Sequence, residues 1–260
     1  MSQLTQRKSL CRRSRTLLAW LLNLLNESHR PVLLGLIAIV LGGLLASLTA
    51  ETRRSFWDAL LAQRRLILLP VIFSLLTLSL LWSAGQRLDA WVFTLFNLRG
   101  RHPRWLDRAM WALTQIGNGA VGILLGIYVY FTGHRRFAFE LLLGILTLSL
   151  AVELIKMLVQ RARPFHALEN TRVIGWRERG KSFPSGHTAQ AFFMMTLFTQ
   201  AFRPNPLIGV ILFTTAVVVG FTRIYVGVHY PRDVIAGAIL GSVWGILSSL
   251  VEAYLATGQI

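Results

Sequence analysis

The sequence predicts an all-α fold, a polytopic transmembrane bundle of six or seven helices with interfacial amphipathic helices. Three observations carry this expectation. Only 15% of the residues are charged, where a water-soluble chain carries about 25%. Hydrophobic residues make up 54% of the chain. They fall into runs close to the ~20 residues that a helix needs to cross a bilayer, separated by short stretches rich in Arg.

Taken in order, residues 1–30 begin with basic side chains (Arg7, Lys8, Arg12, Arg13, Arg15), followed by TLLAWLLNLL. That apolar piece is too short to span. It reads as an interfacial amphipathic helix or part of a signal anchor. The first candidate span is 31–50 and the second 66–84. A mixed stretch, 85–116, sets Trp91, Trp105 and Trp111 among several Arg, a composition suited to the headgroup zone. Further spans are expected at 117–133, 137–158, 187–202, 207–226 and 232–254, with a polar, basic loop at 164–186. The expected division is an N-terminal segment with its first apolar span (1–65) and a transmembrane core (66–260).

The 27 Lys and Arg outnumber the 11 Asp and Glu, a net charge of +16. Most of these cations lie between apolar runs. That placement favours membrane and phosphate partners over nucleic acid, for which no motif appears. Cys11 is the only cysteine, which excludes an internal disulfide and a cysteine-built zinc site.

If spans alternate, three segments distant in sequence emerge on one membrane face. In KMLVQRARP, Lys156 and Arg163 are seven residues apart, almost two helical turns, so they are expected to share a helix face, with Pro164 marking the helix end. In PSGH, Ser185 is a candidate N-cap and Gly186 allows close approach of an anion to the helix start, with His187 beside it. In TRIYVGVHYPRDV, Arg223 closes one span, and His229 and Asp233 open the next at i, i+4, where they can lie on one helical face. A carboxylate on one imidazole nitrogen would leave the other free to attack. Ionisable groups are costly at membrane depth and usually mark function there.

These three segments resemble the signature of the type 2 phosphatidic acid phosphatases, the lipid phosphate phosphatase family: Lys-x6-Arg-Pro, Pro-Ser-Gly-His, and Ser-Arg-x5-His-x3-Asp. All three spacings match in order, with Thr222 where the family usually has Ser. The resemblance covers roughly residues 85–254. It implies a membrane-bound, metal-independent phosphatase with no cofactor. His229 would be the nucleophile that forms a phosphohistidine, Asp233 its orienting partner and His187 the general acid. Lys156, Arg163, Ser185, Gly186 and Arg223 would hold the phosphoryl oxygens. The implied substrate is a lipid phosphate or diphosphate: undecaprenyl pyrophosphate, phosphatidic acid, phosphatidylglycerol phosphate or lipid A. The implied location is the cell (inner) membrane, multi-pass, with the site facing the periplasm or exterior. Other readings remain open on the sequence: a lipid phosphotransferase using the same residues, a non-catalytic lipid-phosphate transporter or binder, and a metal-dependent hydrolase built from His187, His229, Asp233 and Glu153. The basic loop residues Arg172, Arg177, Arg179 and Lys181 are candidates for attracting anionic headgroups.

Overall fold

A computed structural model describes residues 49–62 and 64–257, with isolated positions between 39 and 47. Most of the N-terminal segment, including nearly all of the expected span 31–50, lies outside the described residues. The chain divides into two compact units, Met1–Trp57 and Asp58–Ile260. Helix α1 (Ala50–Ala62) contains the boundary between them.

Among its described residues, the only regular secondary structure of the second unit is helix. Helices α2 (Arg64–Ser79) and α3 (Ser83–Asn97) meet at 95° across a short break. There the backbone N–H groups of Leu80, Leu81 and Trp82 donate to carbonyls three residues back. Helix α4 (Arg104–Thr114) runs through a 3₁₀ turn (Gln115–Gly117) into α5 (Gly119–Phe131) at 56°. Asn118 caps α5 by accepting from the Ala120 N–H at 3.0 Å. Trp105 and Trp111 project outward from α4, with Arg104 and Arg108 also exposed. That arrangement belongs at a membrane–water interface.

Helix α6 (Arg135–Val159) is followed by a four-residue helix α7 (Pro164–Ala167), then a loop, α8 (Gly186–Phe202), α9 (Pro206–Tyr225) and α10 (Pro231–Thr257). Among the described residues, three segments are long and apolar enough to cross a membrane alone: Arg135–Ala167, Pro206–Tyr225 and Pro231–Leu250. The count reaches five if each bent pair crosses as one. Helix α8, at 17 residues, rises about 26 Å, slightly less than the ~30 Å hydrocarbon core. Large apolar side chains face outward on these helices, among them Leu124 (66% exposed), Leu146 (58%) and Val210 (63%). Exposure on this scale is at home in lipid and out of place in water. The chain is a multi-pass membrane protein.

Helix α8 packs against α6, α9 and α10. Leu141, Ile145, Leu148 and Val152 of α6 repeat every three or four residues and bury against Ala189, Phe193, Met194 and Leu197 of α8. The α8–α10 contact is closer. Gly237, Gly241 and Gly245 form a stripe at every fourth residue of α10. A Cβ on Gly241 would lie 2.1 Å from the Ala189 carbonyl oxygen, and one on Gly237 2.5 Å from that of Ser185. The missing side chains bring the two backbones together. That contact sets the first turns of α8 and α10 side by side, where the Ser185 N–H donates to the Asp233 carbonyl at 2.9 Å.

Candidate functional site

The three motif segments meet where α6 and α9 end and α8 and α10 begin. Helix α6 stops at Val159, earlier than the expected boundary at Pro164, because Gln160 adopts a left-handed conformation (φ 56°). Pro164 instead opens α7. Lys156 and Arg163 therefore do not share a helix face. Lys156 is in the last turn of α6, where its Nζ pairs with Glu153 at 2.7 Å. Arg163 lies in extended chain beyond it, is almost fully buried, and reaches the site from there.

His229 also departs from the helical expectation. It precedes α10, in a turn where its N–H and that of Val228 donate to the Arg223 carbonyl, each at 3.2 Å. Gly227, at φ +90°, makes this turn possible, and its missing Cβ leaves room for the Arg172 carbonyl. Asp233 is in the first turn of α10 and wholly buried, and its Oδ2 lies 3.7 Å from His229 Nδ1. The two groups adjoin but are beyond hydrogen-bond range, and Nδ1 has no hydrogen-bond partner. Oδ2 accepts instead from Ser182 Oγ at 2.5 Å and from the Tyr230 N–H at 2.9 Å.

Four of the motif side chains converge on one carboxylate, that of Glu178 in the loop between α7 and α8. Arg223 Nη2 donates to its Oε1, and Arg163 Nη1 pairs with its Oε2 at 3.0 Å. His187 Nδ1 lies 3.7 Å from Oε1 and His229 Nε2 3.8 Å from Oε2. Burial alone would raise the Glu178 pKa. The adjacent His229 and the charges of Arg223 and His187 outweigh that and hold it well below the ordinary carboxylate range. Arg163 Nη1 also lies 3.3 Å from His229 Nε2. A guanidinium only donates, so this contact is a hydrogen bond in the neutral tautomer that has its lone pair on Nε2 and its proton on Nδ1, toward Asp233.

The remaining predicted residues are placed as follows. Arg223 is buried and donates to Thr114 Oγ1 at 2.7 Å. Ser185 occupies the N-cap position of α8, but its hydroxyl makes no cap bond; it accepts from Thr188 Oγ1 at 2.9 Å. Gly186, His187, Lys156, Glu153 and Gln190 line a cavity of about 140 Å³ between the starts of α5 and α8 and the C-terminal half of α6. The Thr222 hydroxyl is turned away, donating to the Val219 carbonyl at 2.6 Å. Arg172 pairs with Asp107 at 2.7 Å, so it braces the loop and is not free for headgroups. Among the described residues, no group of three or more His, Cys, Asp or Glu is arranged to hold a metal ion. Glu153 is 65% exposed and turned to Lys156.

Sequence reasoning missed Glu178, Ser182, Arg161 and Asp89. Glu178 did leave a signal: it is the only acid within the basic run Arg177 to Lys181. Arg161 stood in plain view two residues before Arg163.

The PAP2 superfamily matches over residues 137–256. An undecaprenyl-diphosphatase from Sulfolobus acidocaldarius is 28% identical over 199 residues, 74% of this chain and 92% of that protein. Undecaprenyl-diphosphatase BcrC from Bacillus subtilis is 30% identical over 159 residues, 60% of this chain and 80% of its own length. The chain belongs to the PAP2 superfamily. The crystal structure of Aquifex aeolicus LpxE superposes on this PAP2 chain with a TM-score of 0.54 and 34% identity, covering 60% of this chain and 92% of that one. Membership makes the chain a hydrolase of the lipid phosphatase class. The PAP2 match begins at residue 137, so α2 to α5 lie before it.

Proposed function

We propose that this PAP2 chain hydrolyses a polyprenyl or glycerolipid phosphate through a phosphohistidine on His229, at a site facing the periplasm or exterior of the cell membrane. The observation that carries the proposal is the shared grip of Arg163, Arg223, His187 and His229 on the Glu178 carboxylate. Side chains from three distant segments have been drawn around one anion, with the two imidazoles against different oxygens. A phosphoryl group entering that position displaces Glu178 and inherits the same contacts. Lys156 and the α8 start border it on the side of the small cavity.

In the first step the His229 Nε2 lone pair attacks phosphorus and the P–O bond to the lipid breaks. The departing oxygen takes a proton from His187, so the lipid leaves as a neutral alcohol or, from a diphosphate, as a protonated monophosphate. In the second step water attacks phosphorus, the P–N bond breaks, and the water proton returns to His187. Inorganic phosphate leaves and His229 regains its lone pair. The arginines neutralise charge on the equatorial oxygens, which is the larger part of catalysing phosphoryl transfer. Because His187 serves the leaving group, the lipid lies on its side, toward the cavity between α5 and α6.

The test is phosphate release by the purified chain from undecaprenyl diphosphate, phosphatidic acid, phosphatidylglycerol phosphate and lipid A, assayed side by side. His229→Ala should abolish turnover. His187→Ala should lower it by about 10²–10⁴-fold, the usual contribution of a general acid. Full activity of His229→Ala on any of the four would refute the assignment.

A further inference from the structure

The residue behind the proposed nucleophile, Asp233, is itself held by Arg161, which stands at an unspecified position of the Lys156–Pro164 segment. Gln160 to Arg163 join α6 to α7 without helix, and the two arginines of this stretch reach different groups. Arg163 faces His229 Nε2. Arg161 reaches behind the imidazole, where its Nη1 donates to Asp233 Oδ1 at 2.6 Å. Its Nη2 donates to Asp89 Oδ2, and its guanidinium lies 4.3 Å from the Tyr230 ring centre.

Asp89, on α3, is 3% exposed. It also accepts from Arg232 Nε at 2.7 Å and from the Arg232 N–H at 3.2 Å. Arg232 is fixed in turn by the Ser79 carbonyl at 2.6 Å. Ser182, which holds the other oxygen of Asp233, is tied to the same strand of chain: its N–H donates to the Arg161 carbonyl at 2.9 Å. Two buried carboxylates and two guanidiniums thus balance in one connected network. Removing one cation would leave a buried carboxylate short of a compensating charge, a costly state.

Resting on the phosphohistidine reading above, we propose that Arg161, anchored by Asp89, is a positioning residue that aims Asp233 at His229 Nδ1. Arg161 makes no contact with the phosphoryl group. It fixes the rotation of the Asp233 carboxylate, so that Oδ2 faces the imidazole and can take up the Nδ1 proton contact as positive charge develops on the ring. The 3.7 Å gap closes by a small tilt of His229 without moving the carboxylate. Helix α3, outside the three signature segments, is therefore part of the catalytic support.

The experiment uses full-length chain in nanodiscs, with undecaprenyl diphosphate and phosphatidic acid as substrates and orthovanadate as a probe of the phosphoryl pocket. Arg161→Ala and Asp89→Ala should each lower kcat by about 10–100-fold, as loss of an orienting partner behind a functional side chain does in metal sites. KM and the vanadate inhibition constant should stay within about threefold, since the phosphoryl-holding cations are untouched. The double variant should be no worse than the poorer single one, because both remove the same constraint. Wild-type kcat in the folded variants, or KM and vanadate inhibition weakening in step with kcat, overturns the proposal. If the alanine variants do not fold, Arg161→Lys and Asp89→Asn decide it: each should lose turnover at constant KM, and wild-type turnover in both defeats the idea. An active His229→Ala enzyme would instead defeat the reading of the site itself. An inactive His229→Ala beside unimpaired Arg161 and Asp89 variants defeats only this inference.

Discussion

Glu178 occupies the point toward which the cations and imidazoles of the site are directed. On the proposed reading of the site a substrate phosphate competes with it, and an occupied site binds a ligand more weakly by the fraction of time it is vacant. Glu178→Gln should therefore lower the inhibition constant for inorganic phosphate by about 10-fold, the scale of one charge-assisted contact released. An unchanged or higher constant would show that the carboxylate assists binding. The shift in Glu178 is downward, so its charged form is favoured and persists as the solution is acidified. Over about pH 5 to 8, above the ordinary carboxylate range, the ratio of the wild-type and Glu178→Gln constants should stay flat. Titration of the same ratio in that window would contradict the assignment.

The element that places these residues is the α8–α10 pair. Helix packing through Gly237, Gly241 and Gly245 fixes the separation of the His187 turn from the His229 turn. Gly241→Ala pushes a methyl group into the Ala189 carbonyl and should destabilise the fold by about 1–3 kcal/mol, the cost of overpacking. Gly241→Leu should not yield active protein. Gly209→Ala is the matched comparison. Gly209 is a helical glycine with open space, nothing within 4 Å, where an alanine methyl would go, so that change should leave thermal stability unaltered or slightly improved. Thermal unfolding in the same detergent, with turnover measured alongside, reads both. Equal behaviour of Gly241→Ala and Gly209→Ala would mean that α8 and α10 are not held by this contact.

For the molecule as a whole, the site and the α8–α9 connection lie at opposite ends of the helices, since α8 and α9 run between them. With the site at the periplasmic or exterior face, Trp176, 85% exposed in the loop that carries Glu178, should be reached from outside, and His134, exposed before α6, from the cytoplasm. Trp176→Cys and His134→Cys, each in a Cys11→Ser background, should react with a membrane-impermeant maleimide on intact cells in the first case only. Labelling of His134→Cys alone would reverse the orientation. The Arg135–Arg136 pair at that end fits the preference for Lys and Arg on the cytoplasmic side.

The sequence by itself determined the class of fold and the segments that meet. Both follow from local quantities: runs of apolar residues that must be helical in lipid, and helix ends that alternate between two faces. It also supplied the chemical types His, Arg, Lys and Asp at spacings that need no coordinates to read. Only the tertiary structure decided how they are used. The end of α6 at Gln160 left Arg161 on Asp233 and Arg163 on His229 and Glu178, and a backbone conformation is not encoded by spacing. The Ser185 hydroxyl bonded Thr188 instead of capping α8, and Glu178 entered the centre from a loop without periodicity. Asp89 joined the network across 72 residues from Arg161, because burying a charge in a bundle requires a partner from whichever helix lies alongside. That adjacency is a property of the packed molecule, and no stretch of chain contains it.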